Sequence, residues 1–117
     1  MKIMILLLSV LLLACTAPET KIPTGILSET EFRNMLKEVH LAESAFELNK
    51  NNGLENAKNT LSNSYQSIYK EYDTDNSTFN KSLEYYVKHP EILEEIYSTI
   101  LEQLTEGAST LDQQETN

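Results

Sequence analysis

The residues best suited to chemistry in this chain are its histidines, nearby carboxylates and a tyrosine pair. His40 and Glu43 stand three residues apart within the run HLAE, and in a helix that spacing places both side chains on the same side. A second group follows further along, in the run LEYYVKHPE. The candidate site residues are therefore His40, Glu43, Tyr85, Tyr86, His89 and Glu91.

The first interpretation of this group is a polar network within the core. At 100° per residue, Glu43 projects at nearly the same angle as the apolar Phe32 and Leu36. A carboxylate buried in an apolar interior must be paired, hydrogen-bonded or protonated, because a lone charge there is strongly destabilising. We therefore expect Glu43 and His40 to bond a tyrosine hydroxyl, His89 or the free amides that begin the last helix.

The alternative interpretation is a metal or ligand site made by His40, Glu43 and His89. A histidine and a glutamate at positions i and i+3 can both reach one ion. In di-iron bundles, however, the Glu-x-x-His element occurs twice and is joined by two more carboxylates. Here the order is reversed and the element occurs once. We therefore expect no bound metal and no cofactor other than covalent lipid.

Enzymatic machinery is not evident in the sequence. There is no glycine-rich phosphate loop, no Ser, His and Asp trio that spacing would single out, and one cysteine, Cys15. An acid/base pair of His40 and Glu43 is the one catalytic interpretation that stays open. We predict that the protein is not an enzyme.

The N-terminal sequence MKIMILLLSVLLLAC indicates where in the cell the protein is located. The apolar run from Ile3 to Cys15 would reach only about 20 Å as a helix, short of the roughly 30 Å of a bilayer core. With Lys2 before it and Ala14 at its end, it has the layout of a signal peptide. The last four residues of this run resemble the bacterial lipobox, so we expect lipidation of Cys15. An ordinary signal cut nearby and an uncleaved anchor are the alternatives.

The charge and the residues after Cys15 refine the expected location and partners. The chain has a formal net charge of −9, which argues against nucleic acid as a partner. We expect it to be held at the membrane by its N-terminal lipid. Thr16 does not resemble the aspartate that retains lipoproteins in the inner membrane of enteric bacteria. The predicted location is therefore the cell envelope, on the outer membrane and facing the periplasm.

Helical patterns organise the rest of the chain. We predict a signal peptide over residues 1–14, the lipidated cysteine and a flexible tether over 15–26, a helical domain over 27–104 and a disordered polar tail over 105–117. Ser28 and Glu31 form a capping box, from which a first helix should run from about Glu29 to Asn49. Its second apolar face, Leu41, Ala45 and Leu48, suggests that this helix is covered on two sides.

Three further apolar stripes predict three more helices. Asp75 is a good N-cap for the third helix, and Pro90 is well placed as the first residue of the fourth. Nothing alternates with the period of two that a strand requires. The predicted fold is an all-α bundle of about four helices. The three stripes are Leu54, Ala57, Leu61, Tyr65, Ile68 and Tyr72; then Phe79, Leu83, Tyr86 and Val87; then Leu93, Ile96, Tyr97, Ile100, Leu101 and Leu104.

Two segments carry a family resemblance. IPTGILSETEFRNMLKEVHLAESA, with HLAE at its centre, and FNKSLEYYVKHPEILEEIY downstream resemble a family of small Bacteroidetes lipoproteins known as domain of unknown function 4296. The likeness covers roughly Ile22 to Leu104, and Ser44 departs from the alanine more usual in the family. The resemblance implies a lipid-anchored helical protein of the cell envelope. It implies no activity.

The function expected from these features is a non-catalytic one. We expect a helical protein-interaction or structural module that is tethered by lipid and presents a helical surface to another envelope protein. The metal- or ligand-binding domain described above is one alternative. A second alternative is a chaperone-like holder of envelope clients, which would require an exposed apolar groove.

Overall fold

The structure is a computed structural model, and it describes residues 21–115. Four α-helices make up most of this part of the chain. They are α1 (Glu29–Asn49), α2 (Leu54–Glu71), α3 (Asn76–Val87) and α4 (Pro90–Glu115). A single 3-10 turn, Lys50–Asn52, joins α1 to α2. No strand occurs within residues 21–115, which confirms the predicted all-α bundle of four helices. The predicted signal peptide and Cys15 lie outside the described residues.

Local polar groups set the starts of the helices. The Ser28 hydroxyl accepts a hydrogen bond from the Glu31 N–H at 3.2 Å, and the Glu31 carboxylate accepts one from the Ser28 N–H at 3.2 Å. The Asp75 carboxylate likewise accepts from the Thr78 N–H at 2.7 Å. Pro90 is the first residue of α4, where its missing N–H has no helical role. The capping box and these two helix starts are confirmed as predicted.

The core is centred on the first half of α1. The ring of Phe32 stacks on Tyr86 at 4.6 Å between centroids and on Phe79 at 5.7 Å. Ile96 and Ile100 of α4 close the core from another side. The buried residues of the core are Leu27, Phe32, Met35, Leu36, Val39, Ile68, Phe79, Tyr86, Ile96 and Ile100.

The segment before α1 is fixed to α3 by buried hydrogen bonds. The Tyr86 hydroxyl donates to the Leu27 carbonyl oxygen at 2.8 Å, and the Ser82 hydroxyl accepts from the Leu27 N–H at 2.9 Å. A turn precedes this point, with the Ile26 N–H bonded to the Pro23 carbonyl. Gly25 has φ +87° in that turn, as the third residue of a type II turn requires. The ordered domain therefore begins at Pro23, earlier than the tether predicted to end at residue 26.

The C-terminal end of the chain differs from the sequence prediction. Helix α4 continues to Glu115, so the disordered tail predicted over 105–117 is wrong for residues 105–115. This segment contains Glu, Leu, Gln and Ala, which are good helix formers, and no proline. Gly107 alone is too weak a breaker to end the helix. The loss of large, regularly spaced apolar residues after Leu104 predicts the end of the helix there, but it does not end α4.

Several apolar side chains that were expected to be covered are exposed. Leu41 and Leu48 of α1 and Val87 of α3 face solvent. The prediction that α1 is covered on two faces is therefore wrong, because Leu41, Ala45 and Leu48 all remain exposed, although the edge of α2 borders the first two. None of the helices in residues 21–115 combines the length and the apolar character needed to span a bilayer.

Candidate functional site

His40 and Glu43 lie together on the surface of α1. The His40 Nδ1 atom is 3.8 Å from a Glu43 carboxylate oxygen, and the Glu43 side chain is 48% exposed. The other Glu43 oxygen accepts a hydrogen bond from the Tyr65 hydroxyl at 2.6 Å. His40 Nε2 lies 3.3 Å from the Tyr97 hydroxyl of α4. The predicted buried network is thus a surface network, and it uses tyrosines other than those predicted.

The position of the core along α1 explains this difference. The buried residues of α1 all lie between Phe32 and Val39, and the side chains from Leu41 to Asn49 are exposed or half-buried. Glu43 does share the angle of Phe32 around the helix, but it lies three turns further along. The second half of α1 extends past the core. The side of α1 that faces the core in the first half of the helix therefore faces solvent and the edge of α2 in the second half.

Tyr65 of α2 and Tyr72, which directly follows α2, donate to carboxylates of α1 along this edge. Tyr65 bonds Glu43, and the Tyr72 hydroxyl bonds the Glu38 carboxylate at 2.8 Å. Burial, followed by the hydrogen bond to the carboxylate, raises the pKa of Tyr65 to about 12. Burial and the bond to Glu38 raise the pKa of Tyr72 to about 12 in the same way. Both hydroxyls therefore remain protonated donors near neutral pH, and neither is prepared to act as a base.

The second predicted group separates into three parts. His89 Nδ1 lies 2.7 Å from the Tyr85 carbonyl oxygen, so this nitrogen carries the proton and donates it. The Tyr85 and His89 rings also contact each other, with centroids 4.2 Å apart. Glu91 is exposed in the first turn of α4. Tyr86 is fully buried and holds Leu27, and its burial raises its pKa to about 12.

The structure does not assemble the set of metal ligands that the sequence suggested. Within the part of the chain that the structure describes, no three side chains of His, Cys, Asp or Glu come close enough to hold one ion. His40 is engaged with Tyr97 and Glu43, whereas His89 is engaged with Tyr85. His40, Glu43 and His89 therefore do not form a common site.

A cleft between α1, α2 and α3 lies beside Glu43. It has a volume of about 420 Å³ and opens to solvent, and its size falls within the range of small-molecule sites. Its polar groups already bond each other, since Glu43 accepts from Tyr65 and Asn76 accepts from the Tyr69 hydroxyl at 3.0 Å. No residue that lines the cleft has a buried side-chain nitrogen or oxygen without a hydrogen-bond partner. Its other lining residues are Val39, Phe79, Asn80 and Leu83.

The feature that the sequence prediction missed lies on α4. Part of the apolar side of this helix faces solvent: Tyr97 is 38% exposed, Leu101 64%, Leu104 36% and Leu111 64%. The exposed Ala108 falls on the same line, and we call these five residues the α4 stripe. Tyr97, Leu101 and Leu104 were predicted as an apolar stripe, but the sequence did not show which part of it the bundle covers. Leu111 was missed because the helix was expected to end earlier.

Comparison with known proteins places this domain in a family. No curated protein and no solved structure matches the chain. Residues 23–110 match the family described as Domain of unknown function (DUF4296). The match begins at the turn before Leu27 and includes both runs that carry the candidate residues, HLAE and LEYYVKHPE. It covers most of the domain described above, and the chain therefore belongs to this family.

Proposed function

We propose that this protein is a non-catalytic helical interaction module, anchored by lipid in the bacterial cell envelope, and that its contact surface is the α4 stripe. The observation that carries this proposal is the exposure of three leucines on one line of α4. Leu101 and Leu111 are each 64% exposed, and Leu104 lies between them. A contiguous exposed apolar surface on a small domain is typical of a contact with another protein.

The position of α4 in the bundle supports this use. Ile96 and Ile100 hold the first half of the helix against the core. The Lys37 ammonium also donates to the Gln103 side-chain oxygen at 3.1 Å, which ties α4 to α1. Beyond Gln103, every described residue of α4 is exposed. The stripe therefore begins on a rigid, packed helix and continues onto a segment that the bundle leaves uncovered.

The chemistry of the candidate residues supports a non-catalytic role. His40 and Glu43 form a half-exposed pair, and the cleft that Glu43 lines opens to solvent. The tyrosine hydroxyls beside α1 have a raised pKa, which makes them donors to carboxylates rather than acid/base catalysts near pH 7. A general base needs a pKa close to the working pH and a substrate within reach. The hydrogen bonds of His40, Glu43 and Glu38 to tyrosine hydroxyls join α1 to its neighbouring elements, and this structural role explains why these residues lie together.

The proposed anchor rests on the sequence before the domain. Leu12, Leu13, Ala14 and Cys15 resemble a lipobox at the end of a signal peptide, and three acyl chains would hold the protein stably at a membrane. We propose the outer membrane, facing the periplasm, as the location. Growth with an alkyne-labelled fatty acid should label the wild-type chain. The label should be lost in Cys15→Ala; equal labelling of both would overturn the proposed anchor.

The interaction itself is tested by site-specific photo-crosslinking of the full chain in intact cells. A photoreactive amino acid at Leu101 should give discrete adducts. The same group at Glu102 should give none, because that position faces away from the stripe. Equal adducts from both positions, or none from either, would overturn the proposed contact surface. A smear of many unrelated adducts from Leu101 would instead indicate a chaperone-like holder of envelope clients.

A further inference from the structure

We propose that the partner of the α4 stripe is a second copy of this chain, with two α4 helices pairing in parallel along it. The inference rests on the proposed function and names the partner that this function requires. The stripe consists of Tyr97, Leu101, Leu104, Ala108 and Leu111.

The spacing of the stripe is that of a helix-pairing surface. Its residues are alternately four and three positions apart, from Tyr97 to Leu111. This gives an average repeat of about 3.5 residues, which keeps one line of side chains facing a partner helix. A helix that only covers a globular core usually presents a wider and less regular apolar arc. On α4 that covering role belongs to Ile96 and Ile100, which are buried beside the stripe.

The charges of α4 favour a second copy over a basic partner. The helix carries no lysine or arginine, so an acidic surface would be expected to repel an identical helix. The acids within the stripe's span are Glu102 and Glu106, and at about 100° per residue they project to the opposite side of the helix. The positions that flank the stripe from Tyr97 to Ala108 are uncharged: Ser98, Ile100, Thr105 and Gly107. At the end of the stripe, Leu111 is flanked by the uncharged Thr110 on one side and by Asp112 on the other. Two copies can therefore approach along Tyr97 to Ala108 without placing like charges together, whereas a basic helix would find no acids beside this part of the stripe.

The exposed end of α4 also points to a helical partner. Residues from Leu104 to Glu115 are helical and exposed, and a helix of this length gains little stability in water without a packed face. Ala108 and Gly107 carry small side chains or none, so a second backbone can come close at that point. Pairing along about 21 Å of the stripe would cover the leucines that the bundle leaves in solvent.

The orientation and strength of the pairing follow from the anchor. Copies tethered to one membrane by their N-termini present α4 in the same direction, which suits a parallel pair with a two-fold axis along the membrane normal. Because the stripe spans only about two heptads, pairing should be weak in dilute solution. Tethering raises the effective concentration of each copy for the other. We therefore expect the pair to form in the membrane.

Disulfide crosslinking in the membranes of intact cells tests the inference. One cysteine at a time is added to the full chain, which already contains Cys15, and the cells are treated with an oxidant. Leu101→Cys and Leu104→Cys should give reducible dimers above the background of the parent chain. In a parallel pair each cysteine meets its own copy across the contact, within the short distance that a disulfide requires. Glu102→Cys and Glu106→Cys are the matched controls on the opposite side, and they should remain at background.

A second measurement protects the test against misfolding of a variant. In sedimentation equilibrium of the full chain in detergent, Leu101→Lys should weaken self-association by about tenfold or more, because it places two charges in the contact. Leu48→Lys, at an exposed leucine of α1, should leave it unchanged. Equal dimer yields from stripe and control cysteines would overturn the second-copy inference. If Leu101 gives photo-adducts with a different protein while its cysteine gives no dimer, the proposed function stands and the second copy is wrong.

Discussion

The buried bond between Tyr86 and Leu27 gives the sharpest prediction about this fold. Tyr86 is fully buried, and its hydroxyl donates to the Leu27 carbonyl oxygen at 2.8 Å. Tyr86→Phe removes this donor but keeps the ring that stacks on Phe32. The Leu27 carbonyl then loses its side-chain donor in a buried place, which costs about 1–3 kcal/mol. We expect the free energy of unfolding to fall by that amount.

The Ser82 hydroxyl allows the same bond system to be tested from its other side. It accepts from the Leu27 N–H at 2.9 Å and donates to the Thr78 carbonyl at 2.8 Å. Ser82→Ala leaves the Leu27 N–H without its acceptor, so we expect a similar loss of about 1–3 kcal/mol. The two variants act on one residue and should not be additive. A double-mutant cycle should show a coupling of about 0.5 kcal/mol or more.

Urea unfolding of the full chain, followed by circular dichroism, measures both losses. Hydrogen exchange adds a local readout, since Ser82→Ala should speed exchange of the Leu27 amide more than that of amides in α2. Tyr85→Phe is the matched control, because it removes a hydroxyl from the half-buried neighbour that does not hold Leu27. Equal, small effects of Tyr86→Phe and Tyr85→Phe would show that these bonds do not fix the segment before α1.

Three further predictions concern the surface network, a helix cap and alkaline pH. Glu43→Ala and Tyr65→Phe should each change the free energy of unfolding by about 1 kcal/mol or less, because the hydrogen bond between them lies at the protein surface; a loss of several kcal/mol would show that HLAE belongs to the core. Asp75→Ala should cost about 1 kcal/mol by removing the cap of α3, with Ser77→Ala in the same turn as the control. From pH 10 to 12 the folded state keeps the Tyr86 proton, since its pKa is raised from 10.0 to about 12, while the unfolded chain loses it. The wild type should therefore lose up to about 2–3 kcal/mol from this group over that range, and its advantage over Tyr86→Phe in urea unfolding should shrink; a constant difference would contradict the raised pKa.

Local signals explain why much of the fold was predictable. Ser28, Glu31 and Asp75 satisfy the free amides of a helix start with groups a few residues away, so their roles do not depend on the rest of the molecule. Pro90 likewise begins α4 because of its own ring geometry. The apolar spacing of Phe32, Leu36 and other residues then fixes which side of each helix is buried. These are properties of short stretches, and the sequence alone was sufficient for them.

The sequence by itself determined the helices, their starts and the family, whereas the tertiary structure decided which part of each apolar side is covered. Glu43 shares the angle of Phe32 but lies past the end of the core, and periodicity describes angle rather than position along the axis. The pairing of Tyr86 and Ser82 with Leu27 joins residues 59 and 55 positions apart, which no local pattern encodes. Leu101 and Leu104 lie beside the buried Ile100 on α4, yet they remain exposed because no described element of the bundle covers their side of the helix. Burial depends on which neighbouring elements are present, and only the packed structure contains that information.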